Sequence, residues 1–317
     1  MTESAAERWP DAFTLAGRLV HQTGDSVRVV LMYGSRLWRT NPGRRSALDF
    51  VVIVDEYRSF YSGLSRAREL HRPVALMTAL ARVLAPNVIS YTPDGGRGSV
   101  AKCLLVSKAD FARAMGANPP DHFLLGRMVQ RLGTVWTADA SEQRWVQEQI
   151  NGAHMRVLEW MAPYLHEPVD AAGLGRRLLE VCYSGELRPE SKARPGRVFE
   201  AQAEHFATVL EPALEAAVVA GRMRREGDDY TLTEPVSAAD RRRWRWHFRR
   251  SKARTTMRLF KHTVTFANWL PYLVHKVERH TGRSIDLTFL ERKLPIVFLW
   301  PRVIWVLLTK PREEIEE

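Results

Sequence analysis

The chain has 317 residues, a formal net charge of +11 and a pI of about 10.0. A length in this range predicts about two domains. The hydrophobic content of 45% and the aromatic content of 9% are ordinary for a packed globular protein, and they exclude disorder along the whole chain. The positive charge favours anionic partners, namely nucleic acid, acidic lipid headgroups or nucleotides. Most of the basic residues are arginine, which suits phosphate, although a GC-rich genome produces the same bias.

Two cysteines, Cys103 and Cys182, fit neither a disulfide framework nor a zinc site. The N-terminal residues lack the charged and apolar regions of a signal peptide. Both features predict a protein of the reducing cytoplasm. No uninterrupted apolar stretch reaches the ~20 residues that a membrane-spanning helix needs.

The first 140 residues alternate between helical and strand patterns. Residues 10–24 form a short amphipathic helix, and the apolar runs 27–33 and 48–54 predict buried strands. The remaining predicted elements of this region are a helix over 72–85, strands over 87–92 and 99–107, and helices over 108–115 and 121–136. This alternation predicts an α/β fold with a small sheet and flanking helices.

The pattern becomes mainly helical after residue 140. The predicted elements are helices over 142–165, 171–183 and 198–223, an exposed loop over 184–197, and a hairpin that turns at Gly227-Asp228-Asp229. Two helices followed by a hairpin are typical of a winged-helix module. The chain therefore divides into a first domain over 1–140, a winged-helix-like domain over 141–240, and a tail over 241–317.

The tail has a basic, aromatic stretch over 241–258 and an apolar stretch over 294–308. Pro295 and Pro301 would break a spanning helix, so we predict an amphipathic tail that lies in the membrane interface. The residues predicted to contact lipid are Arg241, Arg242, Arg243, Trp244, Trp246, Arg249, Arg250, Trp300 and Trp305. Packing of the apolar stretch into the protein core is the alternative for 294–308. The basic stretch also fits nucleic acid, because arginine contacts phosphates and aromatic rings stack on bases.

The most informative pair of features is the Gly34-Ser35 step after the first strand and Asp49 at the start of the second. Glycine lets a backbone approach phosphate closely, and a carboxylate on a neighbouring strand can hold Mg²⁺ at nucleotide phosphates. Together they suggest nucleotidyl transfer. The alternative is a tight turn at Gly34 and an aspartate that caps a loop.

Other polar residues leave two interpretations open. Lys102, within an apolar strand, either pairs with a triphosphate or Asp49, or lies on a solvent face. Arg127 faces either a phosphate or water. A second metal ligand cannot be Asp55, which lies about 20 Å further along the strand from Asp49. Asp94 and Asp110 are the remaining candidates.

Five short motifs in order carry a family resemblance: Tyr33-Gly34-Ser35, Leu48-Asp49-Phe50, Val54-Asp55, Lys102 in its strand, and Gly126-Arg127. They resemble the mitochondrial CDP-diacylglycerol synthases, the translocator assembly and maintenance proteins of the nucleotidyltransferase superfamily. The resemblance covers residues 25–140. The Tyr-Tyr-Asn tract of that family is replaced here by "DGGRGSVAK".

The resemblance implies a nucleotidyltransferase domain, then a winged-helix-like domain and a membrane-associating helix. It implies that CTP and phosphatidate give CDP-diacylglycerol and pyrophosphate, with Mg²⁺ as cofactor. Tyr33, Gly34, Ser35 and Arg127 would bind the nucleotide, Asp49 the metal, and Lys102 a phosphate.

The leading hypothesis is thus a Mg²⁺-dependent phosphatidate cytidylyltransferase on the inner face of the cell membrane. The rivals are a catalytically decayed nucleotidyltransferase fold that binds membrane or nucleic acid, and a transferase with another acceptor.

Overall fold

A computed structural model describes residues 9–38, 47–93, 100–186 and 194–265. The described chain is a mixed α/β protein. Its strands are β1 Val27–Tyr33, β2 Leu48–Val54, β3 Asn87–Tyr91, β4 Ala101–Ser107, β5 Gly133–Thr137, β6 Met223–Glu226 and β7 Asp229–Leu232. Its helices are α1 Pro10–Thr23, α2 Ser35–Trp38, α3 Tyr57–Arg66, α4 Val74–Val83, α5 Lys108–Met115, α6 His122–Met128, α7 Ala140–Met155, α8 Val157–Met161, α9 Ala171–Ser184, α10 Arg194–Glu200, α11 Ala203–Val219 and α12 Ala238–Thr265.

The main sheet has the strand order β3-β4-β2-β1-β5. The central strands β1 and β2 are almost continuous apolar runs and are buried on both faces, as expected for strands covered by helices on each side. The pair β2 and β4 is parallel, whereas β1 runs antiparallel to β2 and β5, and β3 runs antiparallel to β4. The predicted bounds of β1 and β2 are confirmed.

Each face of the sheet has its own hydrophobic core. One face packs against α1, α3 and α4, through side chains such as Leu19 and Phe60. The other face shares a continuous core with α5 to α11 and the β6–β7 hairpin. The predicted domain boundary near residue 140 falls within this shared core.

One predicted helix is wrong in its second half. The pattern over 121–136 predicted a single helix, but α6 ends at Met128, and Gly133–Thr137 forms β5 beside β1. The tract contains two threonines, a valine and a tryptophan, residue types that fit a pleated surface better than a helix.

The second half of the chain needs two smaller corrections. The predicted loop over 184–197 is shorter, because α10 begins at Arg194, and 187–193 lie outside the described residues. The predicted helix over 198–223 is broken between α10 and α11. There Gln202 accepts a hydrogen bond from the backbone N–H of Arg131 at 2.8 Å. The hairpin is confirmed, with Gly227 at φ +69° in its turn. In the first half of the chain, the sequence patterns did not predict helix α3.

Residues 241–258 belong to helix α12, which packs against the rest of the described chain, so they are not a separate tail. A stripe on one side of the helix is buried. The buried members of the stripe are Trp244, Ser251, Thr255, Arg258, Lys261 and Thr265. Trp244 is only 6% exposed and belongs to the core, so the prediction that it contacts lipid is wrong.

The opposite side of α12 is apolar and basic. Trp246, Met257 and Phe260 are 67%, 61% and 44% exposed. Five arginines predicted to contact lipid also lie exposed: Arg241, Arg242, Arg243, Arg249 and Arg250. Helix α12 thus differs from an ordinary surface helix, because two cations, Arg258 and Lys261, are buried while three large apolar side chains are exposed.

No helix in the described ranges combines the length and the apolar character required to cross a bilayer. The segment 294–308, with Trp300 and Trp305, lies outside the described residues.

Candidate active site

Four polar side chains form a row across one end of the main sheet. Asp49 lies opposite Tyr33 in the β1–β2 ladder and opposite Lys102 in the β2–β4 ladder, and Lys102 in turn lies opposite Ser90. Because directly paired residues project from the same face of a sheet, all four lie on the face shared with the helical half. Asp49, Lys102 and Ser90 are each half-buried. The sheet register thus places a carboxylate beside an ammonium group.

The turn after β1 brings Gly34 against this row. Gly34 has φ +88°, a left-handed conformation that favours glycine. A Cβ atom at this position would lie 2.5 Å from Asp49 Oδ2. The Gly34–Ser35 step and the Asp49 carboxylate are therefore adjacent, which is the arrangement that the nucleotide-binding prediction requires.

The alternative aspartates are at the opposite end of the sheet. Asp55 pairs with Arg28. Asp110 accepts hydrogen bonds from Tyr57 Oη at 2.6 Å and from Ser107 Oγ at 3.0 Å. Since Ser107 lies five positions beyond Lys102 along β4, Asp110 is about 17 Å from the row and cannot share a metal ion with Asp49.

The residues present fit a Mg²⁺ ion that is held mainly by substrate. Among the described residues there is no group of three or more His, Cys, Asp or Glu side chains arranged to hold a metal. Mg²⁺ is commonly bound through one or two carboxylates together with substrate phosphates. Asp49 lies next to Gly34 at one end of the sheet, and its side chain can supply one such carboxylate. Asp94, the other candidate, lies outside the described residues.

Arg127 is held in place by its neighbours. It forms a bidentate pair with Glu186, with Nη1–Oε1 and Nη2–Oε2 distances of 2.7 and 3.0 Å. Its guanidinium carbon lies 3.8 Å from the centre of the Phe123 ring, and it also donates to the carbonyl of Phe123. The Arg127 guanidinium is therefore fixed between Glu186 and the Phe123 ring. Its role in binding a nucleotide stays a prediction.

The C-terminal turns of α12 dock onto the segment between α4 and β3. Lys261 Nζ donates to the carbonyls of Leu84, of Pro86 at 3.1 Å and of Leu80 at 3.3 Å. The last carbonyls of a helix lack partners within that helix and carry the negative end of its dipole. Lys261 therefore caps the C-terminal end of α4.

Two further contacts extend this docking along the chain. Arg258 Nη2 donates to the carbonyl of Ala85 at 2.6 Å, and Thr265 Oγ1 donates to that of Val88 at 2.8 Å. These contacts run in the same direction along α12 and β3. The helix therefore follows the sheet edge towards the polar row.

A buried carboxylate joins α12 to α6. Asp121 Oδ2 accepts from Arg258 Nη2 at 2.6 Å and from Arg254 Nε at 2.9 Å, and Oδ1 caps α6 by accepting from Phe123 N–H at 3.1 Å. Burial alone would raise the pKa of Asp121. The charges of Arg258 and Arg254 outweigh burial and hold this pKa below its usual value.

Lys261 predicts a specific pH dependence of stability. Burial, and next the charge of Arg258, lowers the pKa of Lys261 from 10.5 to about 7. Between these two pH values the unfolded chain carries a proton that the folded chain lacks. The free energy of unfolding should therefore rise with pH in this window, by at most about 1.4 kcal/mol per pH unit, and Lys261→Met should remove the rise.

Urea denaturation at several pH values between 7 and 9 measures this slope. Lys252→Met, on the exposed side of the same helix, is the control and should retain the wild-type slope. Equal slopes for the wild type and Lys261→Met would contradict the assignment.

Three residues near the C-terminal end of α12 were not predicted to take part in a site. Arg258, Lys261 and His262 were part of, or next to, a stretch interpreted as a lipid- or nucleic-acid-binding surface. A signal was present, because Trp244, Ser251, Arg258 and Thr265 recur at intervals of seven residues along the helix. The polar residues Ser251, Arg258 and Thr265 at these positions concealed the buried stripe.

No protein-family model matches the chain, and no curated protein matches it. Functional conclusions therefore depend on the geometry of the site and on the motifs in the sequence.

Proposed function

We propose that this protein is a Mg²⁺-dependent nucleotidyltransferase that acts at a membrane surface. The observation that carries the proposal is the contact between the Asp49 carboxylate and the Gly34–Ser35 step, in register with Lys102. A close backbone approach, a carboxylate and an ammonium group at one sheet end are what a bound triphosphate requires. The motif resemblance adds CTP as the donor.

Asp49, Lys102 and the Gly34–Ser35 step each have a distinct role in this proposal. Asp49 would hold Mg²⁺, which, when bound, screens the charge of the triphosphate. Lys102 is placed to contact a phosphate oxygen beside Asp49. Gly34 leaves room for the Asp49 carboxylate, and the Ser35 hydroxyl would donate to the phosphates. The reaction joins an acceptor phosphate oxygen to the α-phosphorus of CTP and releases pyrophosphate.

The acceptor is proposed to be phosphatidate, a phosphomonoester lipid. The outward side of α12 supports this choice, because it combines the exposed Trp246, Met257 and Phe260 with arginines. Such a surface suits the interface of an anionic membrane. The C-terminal end of the same helix, residues 258–265, reaches the edge of the sheet at β3; this part is called the inner end of α12. One helix would therefore connect the lipid surface with the reacting groups. Helices α10 and α11 followed by the β6–β7 hairpin support the winged-helix comparison.

The test is product formation by the purified full chain. Labelled CTP, Mg²⁺ and phosphatidate vesicles should give a CDP-lipid and an equal amount of pyrophosphate. Vesicles of phosphatidylcholine and phosphatidylglycerol at the same surface charge should give neither. The proposed acceptor is wrong if pyrophosphate release does not depend on phosphatidate, and the proposed chemistry is wrong if no nucleotide is consumed with any acceptor.

One observation favours a decayed fold that only binds. Among the described residues, Asp49 does not belong to a group of three or more His, Cys, Asp or Glu side chains that could hold a metal. Calorimetry with CTP decides between the two functions, since a transferase should bind CTP more tightly with Mg²⁺ than with EDTA. Binding of anionic vesicles or RNA without any binding of CTP would instead support a membrane- or nucleic-acid-binding protein.

A further inference from the structure

The inner end of α12 places a histidine among cations. The His262 ring is within electrostatic range of Lys102, Lys261, Arg258 and Arg127, and each of these charges opposes its protonation. Two of them are neighbours in space, because the Arg258 and Arg127 guanidinium carbons lie 4.6 and 3.8 Å from the centre of the same Phe123 ring. Thr265 donates to the carbonyl of Val88, two positions before Ser90 in β3, so the inner end of α12 lies close to the polar row.

Two buried nitrogen atoms in this cluster lack partners. Arg258 Nη1 and His262 Nε2 are buried, and neither has a hydrogen-bond partner in the described part of the chain. A buried donor without an acceptor destabilises the folded protein. Arg258 uses its other nitrogens fully, on the carbonyl of Ala85 and on Asp121. The remaining donor is therefore available to a ligand.

The nearby carboxylates are already shared among arginines. Asp121 serves both Arg258 and Arg254, and Glu186 serves Arg127. Buried charge is stable only when it is paired, and Asp121 is divided between two arginines. An oxyanion with several acceptor oxygens would accept from the remaining Arg258 donor and add negative charge beside it.

We propose that Arg258 and His262, together with Lys102, form a binding site for a phosphate group at the inner end of α12. The group is either the phosphomonoester of the acceptor or the terminal phosphates of the nucleotide. Its assignment to a transferase substrate rests on the proposed function, whereas the binding of an oxyanion does not. The side chains of Lys102 and His262 border solvent, so a phosphate group would have to pass them to reach the two buried nitrogen atoms.

The state of the histidine agrees with this site. Burial, followed by the charge of Lys102, lowers the pKa of His262 well below its usual value. The ring is thus neutral before a ligand binds, and it can present an Nε2–H donor to a phosphate oxygen.

The test uses the full chain with two probes, inorganic phosphate for the monoester and pyrophosphate for the nucleotide. In spectra of ¹⁵N-histidine-labelled protein, the His262 ring signals, assigned by their loss in His262→Gln, should shift on addition of at least one probe. Calorimetry should show that His262→Leu weakens binding of that probe by about tenfold or more, because a hydrogen bond to a charged group is lost. His262→Gln retains an amide donor and should stay within about threefold of the wild type.

The matched control is His247→Leu. His247 is also on α12 and also has a buried Nε2 without a partner in the described ranges, but it lies about 22 Å further along the helix. This variant should bind the probe like the wild type. The proposal is overturned if neither probe shifts the His262 signals, or if both leucine variants bind equally. Binding of phosphate by a protein that transfers no nucleotide would overturn the proposed function and leave this site intact.

Discussion

Replacing Asp49 by asparagine is expected to lower nucleotidyl transfer by roughly a hundred- to a thousandfold, since several kcal/mol of charge stabilisation are lost. The change preserves the shape of the side chain next to Gly34, so the fold should be retained. It removes the negative charge that would hold Mg²⁺ and places an amide group at the metal. The measurement is kcat/KM for CTP at saturating phosphatidate.

Asp55→Asn is the matched control, because it removes the same charge from the end of the same strand. Asp55 follows the opposite end of β2, where it pairs with Arg28. Its activity should stay close to that of the wild type. A protein that tolerates Asp49→Asn as well as Asp55→Asn would refute the assignment of Asp49 to the metal.

Asp121→Asn should destabilise the protein by about 3 to 5 kcal/mol, the usual cost of removing one partner from a buried ion pair. The Asp121 and Arg258 side chains are 3% and 1% exposed, so water cannot replace the lost charge. Asparagine caps a helix as well as aspartate does, and the α6 N-cap is therefore preserved. Urea denaturation at pH 7 measures the loss in the free energy of unfolding.

Asp139→Asn isolates the contribution of the buried pair. Asp139 caps α7 by accepting from the N–H groups of Ser141 and Glu142 at 2.7 and 3.0 Å, but it is exposed. Its substitution should change stability by less than about 0.5 kcal/mol. Similar losses for the two variants would show that Asp121 acts only as a helix cap.

The sequence predicts the central strands well and the edge strand poorly. The apolar runs of β1 and β2 are long enough to identify both strands without any knowledge of their partners. Strand β5 is short and only partly buried, and it depends on pairing with β1 across about a hundred residues of chain. It follows a helix closely, so a local pattern extends that helix through it.

The residues of the candidate site were likewise predictable from the sequence only in part. Gly34 and Asp49 are recognisable because each interrupts an apolar run. The pairing of Asp49 with Lys102 is a property of the parallel register between β2 and β4, which no local pattern contains. Arg258 and His262 were not recognised because polar and charged residues on a helix usually face water, whereas the Arg258 side chain contacts a carbonyl, a carboxylate and an aromatic ring.

The capping of α4 by Lys261 has a consequence for biosynthesis. The N-terminal part of a nascent chain leaves the ribosome first and generally folds first. The carbonyls at the end of α4 must therefore stay hydrated until the ribosome has added some 175 further residues, the separation between Pro86 and Lys261. Attachment of α12 would then expel that water, so the sheet reaches its final rigidity late in synthesis. A chain truncated before Arg258 should still form the sheet, but with a frayed α4 and a region more accessible to proteases around Leu84.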